Sequence, residues 1–316
     1  MITDTAVSAA AHPFSHLAFL YRGVEEYLAG IVAFIRDGLA VGEPVAVAVP
    51  EPRLSLIDEE LGHVGSQVRL VDMVHAGRNP GWIIPGVLRA FADSHPGVRV
   101  RIVGEPTWPG RSALEYPACA QNEALTNRAL DGRPVTVLCP YDADGLDSDV
   151  LTDAAMTHPV VIDGGASRRS SSFAPDHVVA VYNEVLPEMP DAPVVAFGRH
   201  GVAHTRAFAV DHAAAFGMRA ARLDDLALAV GELATNSILH GGGSGTLRIW
   251  AENGHVACEV RDSGHIVDPL AGRIPAHPSQ IGGRGLLLVN SLADLVRIHT
   301  EPVGTAIRIH LRLPGG

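Results

Sequence analysis

Short apolar runs alternate with segments of helical periodicity over the first half of the chain. Between residues 24 and 39 the apolar side chains recur at steps of three and four, which predicts a helix that ends at Gly42. Residues 44–50 are apolar throughout and predict a strand buried on both faces. The cycle repeats, so we expect a parallel sheet between two helical layers, a three-layer α/β domain that ends near Gly164. The other predicted strands are 16–21, 68–73, 98–106 and 134–140, and the other helices lie around 82–91 and 112–130.

A change in composition follows this first domain. Residues 164–176 are rich in glycine and serine, and three prolines fall within residues 187–193. Both features are typical of a segment without regular structure. We therefore expect a first domain at 12–164, a linker at 165–190 and a second domain at 191–316.

The second domain has a different order of elements. Asn253 and Gly254 form the pair most typical of a two-residue hairpin turn, so the strands on either side should be antiparallel. Helices on one face of a mostly antiparallel sheet predict an α+β sandwich. The predicted strands are 194–197, 245–252, 255–261, 295–301 and 305–313, and the predicted helices are 200–216, 223–240 and 285–292.

Composition and charge narrow the classes of function. The chain has 316 residues, 47% of them apolar, which suits two domains with cores of their own. Its net charge of −11 and the lack of a basic cluster argue against direct contact with nucleic acid. The first residues do not resemble a signal peptide, and no apolar run approaches about 20 residues, so we expect a cytoplasmic protein without membrane contact. Three widely separated cysteines argue against a disulfide framework and against a structural zinc site; they are Cys119, Cys139 and Cys258.

Three segments of the second domain carry residues that suit nucleotide binding. In GELATNSILHGG, Glu232 and Asn236 share one helix face, and His240 lies one turn further along. Asp262 closes an apolar strand just before Gly264, where a carboxylate can accept a hydrogen bond from an exocyclic amine such as that of adenine. In GGRGLLLV, glycines before a helix let backbone N–H groups face an anion. Taken singly, each segment also fits a solvated helix face, an ordinary turn or a plain glycine-rich loop.

The order and spacing of these segments, with a strand that opens at Thr305, resemble the GHKL ATPase superfamily. Within it they resemble the RsbW-like anti-sigma-factor serine-protein kinases, over residues 191–313. The resemblance implies an α+β GHKL fold and two ligands, ATP and Mg²⁺. It also implies a serine-protein kinase that phosphorylates an anti-anti-sigma protein of the STAS type, or that sequesters a sigma factor. Kinases of this branch usually work as homodimers.

The resemblance assigns a role to each candidate residue. Asn236 would be the Mg²⁺ ligand, and Glu232 the general base that takes the proton of the attacking hydroxyl. Asp262 would bind the adenine amine, with Gly264 allowing close approach and Thr305 contacting adenine through its hydroxyl or a water. The phosphates would be held by the glycine loop and the amide that follows it, namely Gly282, Gly283, Gly285 and Leu286.

One position departs from the family pattern. Ile266 stands where many members have the second glycine of Asp-x-Gly-x-Gly, which affects the ribose and lid side of the pocket. Two alternatives therefore stay open: a non-catalytic ATP-binding module that switches partners, and a soluble sensor histidine kinase. The candidate phosphoacceptors of a histidine kinase lack the His-Glu or His-Asp pattern; they are His200, His204 and His212.

The first domain has no glycine-rich phosphate loop, since Gly23 alone follows the first strand. The segments HPFSHLAFLY, GEPTWPGR and LCPYDADGLDSDVL resemble the MEDS sensory domain, a degenerate RecA-like module, over residues 12–162. The resemblance implies a signal-receiving role without known catalytic residues. Open parallel sheets bind ligands at the carboxyl ends of their strands, so side chains there are candidates to line a crevice, with loop packing as the alternative. They are His16, Tyr21, Glu105, Trp108, Tyr141 and His158.

Overall fold

The computed structural model describes residues 13–275 and 283–315. The chain forms two compact units, which divide between Tyr182 and Asn183. Across the described ranges, no helix combines the length and the apolar character that a membrane crossing needs. Each cysteine is buried and free, in agreement with their wide separation along the chain.

Strands and helices alternate in the first unit. In chain order its elements are β1 (Phe14–Tyr21), α1 (Gly23–Ala40), β2 (Val45–Val49), α2 (Arg53–Leu61), a 3₁₀ turn (Gly62–Gln67), β3 (Val68–Asp72), α3 (Met73–Ala76), α4 (Pro80–Trp82), a π-helical turn (Ile83–Arg89), α5 (Ala90–Asp93), β4 (Val100–Gly104), α6 (Tyr116–Ala129), β5 (Val135–Asp142), α7 (Ser148–Thr157), β6 (Val160–Asp163), β7 (Ala166–Arg169) and α8 (Pro175–Val181).

The strands of the first unit form one seven-stranded sheet in the order β3-β2-β4-β5-β1-β6-β7. All neighbours pair in parallel except β6 and β7. All five residues of β2 are buried, and alternate side chains of a strand point to opposite faces, so both faces of the sheet are covered here. This confirms the predicted α/β fold with a mostly parallel sheet.

The second unit is an antiparallel sheet with helices. Its elements are β8 (Val194–Gly198), α9 (Val202–Ala215), α10 (Ala220–His240), β9 (Ser244–Glu252), β10 (His255–Asp262), α11 (Gly285–Leu292), β11 (Leu295–Glu301) and β12 (Gly304–Arg312). The strand order is β11-β12-β10-β9-β8, antiparallel throughout. This arrangement confirms the predicted α+β fold.

Local sequence explains helix α10 and the hairpin turn between β9 and β10. In α10, Leu226, Val230, Leu233 and Ser237 recur at steps of three and four, and all four are buried against the sheet core. Between β9 and β10, Asn253 and its neighbouring glycine adopt φ values of 47° and 74°, the left-handed pair of a type I′ turn. The hairpin predicted from Asn-Gly is therefore confirmed.

The segment expected to be a linker, 165–190, contains regular structure. Gly164 and Gly165, which suggested flexibility, have positive φ values and turn the chain from β6 into β7. Helix α8 follows and buries Val178 against Ala120 and Ala124 of α6. The edge strand β7 and the short helix α8 are stabilised by contacts with residues distant in sequence. The glycine and serine content of the segment gives no sign of these contacts.

Candidate functional site

A cavity of about 540 Å³ opens in the second unit. Small-molecule sites usually measure about 300–1,000 Å³. Helix α10, the segment after β10, the start of α11 and strand β12 form its walls. Its lining includes predicted site residues from all three sequence segments, namely Asn236, Asp262, Gly264, Gly283, Gly285, Leu286 and Thr305.

Asp262 ends β10 with its carboxylate held by two donors. Gly264 N–H donates to Oδ1 at 2.8 Å, and the Ser237 hydroxyl of α10 donates to Oδ2 at 2.6 Å. Because an ionised carboxylate has about four acceptor positions, acceptor capacity remains for a ligand. A Cβ at Gly264 would lie 2.6 Å from the carbonyl oxygen of His240, so glycine is required here by close packing.

A relay of hydroxyl groups continues the same wall. Thr305 donates from Oγ1 to the Gly264 carbonyl at 2.8 Å, and the Thr300 hydroxyl lies 2.7 Å from Thr305 Oγ1. Thr300 Oγ1 also accepts from Ile266 N–H at 2.9 Å. Since Thr305 donates to one partner and accepts from another, its second lone pair remains for a ligand or a water.

Ile266, the departure from the family pattern, contributes to the core. Its side chain packs against the hydrophobic cluster of the second unit while its residue also lines the cavity. The backbone is fixed by Thr300, as described above. Where a glycine would leave the backbone conformationally flexible, the isoleucine side chain holds this segment against the core.

Glu232 and Asn236 meet the start of α11. Asn236 lines the cavity, whereas Glu232 lies beside Gly285 and is not among the lining residues. A Cβ added to Gly285 would lie 2.6 Å from Glu232 Oε2 and 3.2 Å from Asn236 Nδ2. A side chain at residue 285 would therefore displace the Glu232 carboxylate and crowd the Asn236 amide, since both groups lie close to the helix start. Within the described ranges, neither Glu232 nor Asn236 forms a side-chain hydrogen bond, so both can face a ligand.

The glycine loop leads into the amino terminus of α11. Gly283 has a φ of 79°, which favours glycine, and the predicted Gly282 lies outside the described residues. Arg284 precedes the helix and its side chain makes no capping hydrogen bond, so the first N–H groups of α11 are available to an anion. The sequence contains no lysine, so an anion here would rely on backbone N–H groups, arginine or a metal ion.

Several residues that support the site were missed by the sequence analysis. Ser237 holds Asp262, and Thr300 holds Thr305. Asn290 of α11 donates from Nδ2 to the Gly272 carbonyl at 3.0 Å and so fixes the segment after β10, which lines the cavity. The sequence could have indicated Ser237, because it lies among the buried apolar residues of α10 and a buried polar side chain needs a hydrogen-bond partner.

In the first unit, the structure buries five of the six side chains expected to line a crevice. Glu105 accepts from the Tyr27 hydroxyl at 3.2 Å and pairs with Arg53, which also lies 3.2 Å from Asp142. Burial raises the pKa of Glu105 to about 7, although Arg53 opposes the shift. The guanidinium also lies 5.2 Å from the Tyr21 ring. These charged and aromatic side chains pack together at the carboxyl ends of β1, β4 and β5 and occupy the space there.

The remaining candidates divide between two places. His16 and His158 have ring centroids 3.9 Å apart, and the Tyr141 ring lies 5.6 Å from that of His158. All three are buried. Trp108 is half-buried, with the Arg111 guanidinium 4.0 Å from its ring. The six side chains therefore do not converge on one crevice.

Comparisons with known proteins agree with this division of the chain. Residues 15–159 match the family described as MEDS, the MEthanogen/methylotroph, DcmR Sensory domain. Residues 199–311 match the histidine kinase-like ATPase domain family. Both matches confirm the resemblances found in the sequence. No curated protein sequence matches the chain.

One similar solved structure is the crystal structure of the RsbU and RsbW domains of Rv1364c from Mycobacterium tuberculosis. It is 19% identical with a TM-score of 0.29, and the alignment covers 38% of this chain. This chain spans about a third of that structure, 32% of its length.

Proposed function

Since the chain joins a MEDS domain at residues 15–159 to a histidine kinase-like ATPase domain at residues 199–311, we propose that its second unit is an ATP-dependent serine-protein kinase of a partner-switching pathway. Its partner would be an anti-anti-sigma protein of the STAS type, or a sigma factor that the unit sequesters. The observation that carries the proposal is the cavity of about 540 Å³, in which an acceptor carboxylate, an amide and a glycine loop face one space.

Adenine binding is assigned to the wall formed by Asp262 and Thr305. Asp262 keeps acceptor capacity after its bonds to Ser237 and Gly264, so it suits the exocyclic amine of adenine. The close packing at Gly264 holds this backbone against His240 and Gly241, beside the Asp262 carboxylate. Thr305 offers one lone pair to a ring donor or to a bridging water.

Phosphate binding is assigned to Asn236 and the start of α11. Asn236 offers an amide oxygen, a ligand type that suits Mg²⁺, and the space beside it is only kept open because residue 285 lacks a Cβ. When bound, Mg²⁺ would neutralise phosphate charge. Gly283, Gly285 and the amide of Leu286 would receive the phosphate oxygens at the start of α11.

Glu232 is assigned as the general base. It would accept the proton of a serine hydroxyl as that oxygen forms its bond to the γ-phosphorus and the bond to the β-phosphate oxygen breaks, leaving ADP. Support comes from its position four residues before Asn236 and beside Gly285. A base within reach of the phosphate region is the geometry that this step needs.

Calorimetric titration of ATP, with and without Mg²⁺, tests the binding part of the proposal. The wild type should bind ATP more tightly with Mg²⁺ than without it. Asn236→Ala should lose most of that difference, because the lost contact is to the ion. A wild-type protein that is folded and binds no ATP would overturn the proposal.

Phosphate transfer is tested with Mg-ATP and a STAS-type candidate protein. Glu232→Gln should bind ATP normally and lose transfer, whereas Asp224→Asn, an exposed charge change on the same helix, should change neither. Phosphate that survives acid supports serine as the acceptor, and acid-labile phosphate would instead indicate a histidine kinase. ATP binding without any transfer would leave the non-catalytic module as the function.

A further inference from the structure

Four buried side chains with metal-ligating atoms meet inside the first unit, away from the cavity described above. They are His16 of β1, Glu123 of α6, Cys139 of β5 and His158, which follows α7, each at most 3% exposed. The sheet brings them together, because β1 pairs with β5 on one side and with β6, just after His158, on the other. In the register Ala18 faces Cys139, and His16 lies two residues before Ala18 on the same face.

Their ligand atoms lie close enough together that small shifts would bring them to the spacing of a tetrahedral metal site. His16 Nε2 lies 3.2 Å from Glu123 Oε2 and 3.4 Å from Cys139 Sγ, and His158 Nε2 lies 3.0 Å from Glu123 Oε2. All four atoms lie within 4.8 Å of one another. In a tetrahedral site with bonds of about 2.0–2.3 Å, neighbouring ligand atoms are about 3.3–3.8 Å apart.

The second nitrogen of each histidine ring is engaged by an acceptor. His158 Nδ1 lies 2.8 Å from the Ala154 carbonyl, which can only accept, so Nδ1 carries the hydrogen. His16 Nδ1 lies 3.3 Å from Asn127 Oδ1, and the Asn127 amide nitrogen is already donating to the Thr157 carbonyl at 2.7 Å. Both rings therefore present an Nε2 lone pair to the centre, the arrangement that outer partners impose on metal-ligating histidines.

Without a metal, hydrogen bonds satisfy only part of this cluster, such as the contact between Cys139 Sγ and His16 Nε2. In the part of the chain that the structure describes, His158 Nε2 and Glu123 Oε2 have no hydrogen-bond partner of acceptable geometry, although they lie 3.0 Å apart. Lone pairs that face a buried carboxylate repel it unless a positive charge lies between them, and a metal ion at the centre would supply that charge.

We propose that His16, Glu123, Cys139 and His158 form a closed site for a divalent transition-metal ion, with Zn²⁺ as the ion that the donor set fits best. Two imidazole nitrogens, one carboxylate oxygen and one sulfur favour zinc and its neighbours over Mg²⁺, Ca²⁺ or Mn²⁺. A cavity of about 10 Å³ borders three of the four side chains, about the smallest space that holds a water. Binding would release the Cys139 proton, since the thiolate is the ligand form.

The site would stabilise the first unit directly. It ties β1, α6, β5 and the start of β6 through one ion, and these elements carry most of the sheet centre. Four protein ligands leave no position for substrate, as in structural zinc sites. The proposal concerns the first unit alone and stands or falls separately from ATP binding.

The test is metal uptake by the full chain. Protein stripped with EDTA and shown by circular dichroism to remain folded is titrated with Zn²⁺ against a chromophoric chelator, and separately with Co²⁺. We expect one ion per chain, a Co²⁺ spectrum of tetrahedral type with a thiolate charge-transfer band, and a higher Tm with Zn²⁺. A folded apo-protein that takes up no stoichiometric Zn²⁺ or Co²⁺ overturns the proposal.

Variants locate the site. Cys139→Ala and His158→Gln should weaken Zn²⁺ binding at least about 100-fold, since loss of even an outer partner costs about 10- to 100-fold. Cys119→Ala is the matched control, because Cys119 is also buried in the first unit and lies outside the cluster. Equal affinity in all three variants, or loss of the thiolate band in Cys119→Ala alone, would refute the assignment. The wild-type spectrum decides the presence of a sulfur ligand even if a variant fails to fold.

Discussion

Asp262→Asn should weaken ATP binding by about 10- to 150-fold while leaving the second unit folded. The magnitude follows from one lost hydrogen bond between a charged acceptor and the adenine amine, worth about 1.5–3 kcal/mol. The internal bonds can survive the change. The asparagine oxygen can still accept from Gly264 N–H, which lies 2.8 Å from Asp262 Oδ1 in the wild type. The asparagine NH₂ group can donate to the Ser237 hydroxyl, and this hydroxyl can then donate to the Leu233 carbonyl, 3.1 Å away.

The assay compares ATP with inosine triphosphate, which has a carbonyl where adenine has the amine. Calorimetry should show that the wild type prefers ATP by about the same 10- to 150-fold, because only ATP donates to the carboxylate. The Asp262→Asn variant should bind both nucleotides about equally. Asp268→Asn is the matched control. Asp268 also lines the cavity, but within the described chain its side chain bonds only Leu270 N–H, at 2.9 Å.

Two results would refute this reasoning. One is an Asp262→Asn variant that keeps its preference for ATP over inosine triphosphate, which would place the amine elsewhere. The other is a wild type without preference, which would mean that no side chain reads the amine. A large fall in Tm would show instead that the internal bonds of Asp262, not the ligand contact, dominate the effect.

Three further changes probe other contacts. Gly285→Ala places a Cβ 2.6 Å from Glu232 Oε2, so the carboxylate at the end of this flexible side chain should move, and the phosphate-transfer assay should show a rate about 100-fold lower. Burial raises the pKa of Glu105 from 4.5 to about 7, so the protonated carboxyl stabilises the fold fully below about pH 4.5, and this contribution is lost as the pH rises through about 7. The free energy of unfolding in urea should fall by about 3 kcal/mol over this range in the wild type, and Glu105→Gln should remove the fall. Asn183→Ala removes bonds of 2.8 and 3.0 Å to the Thr300 backbone and should lower the free energy of unfolding by about 1–3 kcal/mol, measured the same way.

The elements that sequence predicts well are those whose information is local. Helix α11 begins and ends where its glycine and apolar pattern indicated, at 285–292, and the Asn-Gly pair gave the β9–β10 hairpin. By contrast, Gly164 and Gly165 look the same in a linker and in a hairpin turn. The difference is decided by whether β6 has a free edge to pair, and that depends on a sheet assembled from the whole first unit.

The same limit applies to the cavity of the second unit. Asp262, Gly264 and Thr305, which line it, were predicted as site residues because a strand end, a turn and a strand start are visible in sequence. Ser237 and Thr300 were not found, since a serine in an apolar helix or a threonine in a strand acquires a role only once its partner packs against it. A residue type marks what a side chain can bind, whereas the fold determines which groups it meets.

The buried cluster of the first unit extends this point to metal sites. Cysteine spacing argued against zinc because familiar zinc motifs take their ligands in pairs a few residues apart. Here Cys139 and His16 come from neighbouring strands, Glu123 from a helix and His158 from the short link between a helix and a third strand. A parallel sheet brings such positions together from distant parts of the chain, so their convergence leaves no local motif. What sequence does offer is a set of polar residues at buried strand positions, and each of these requires a partner.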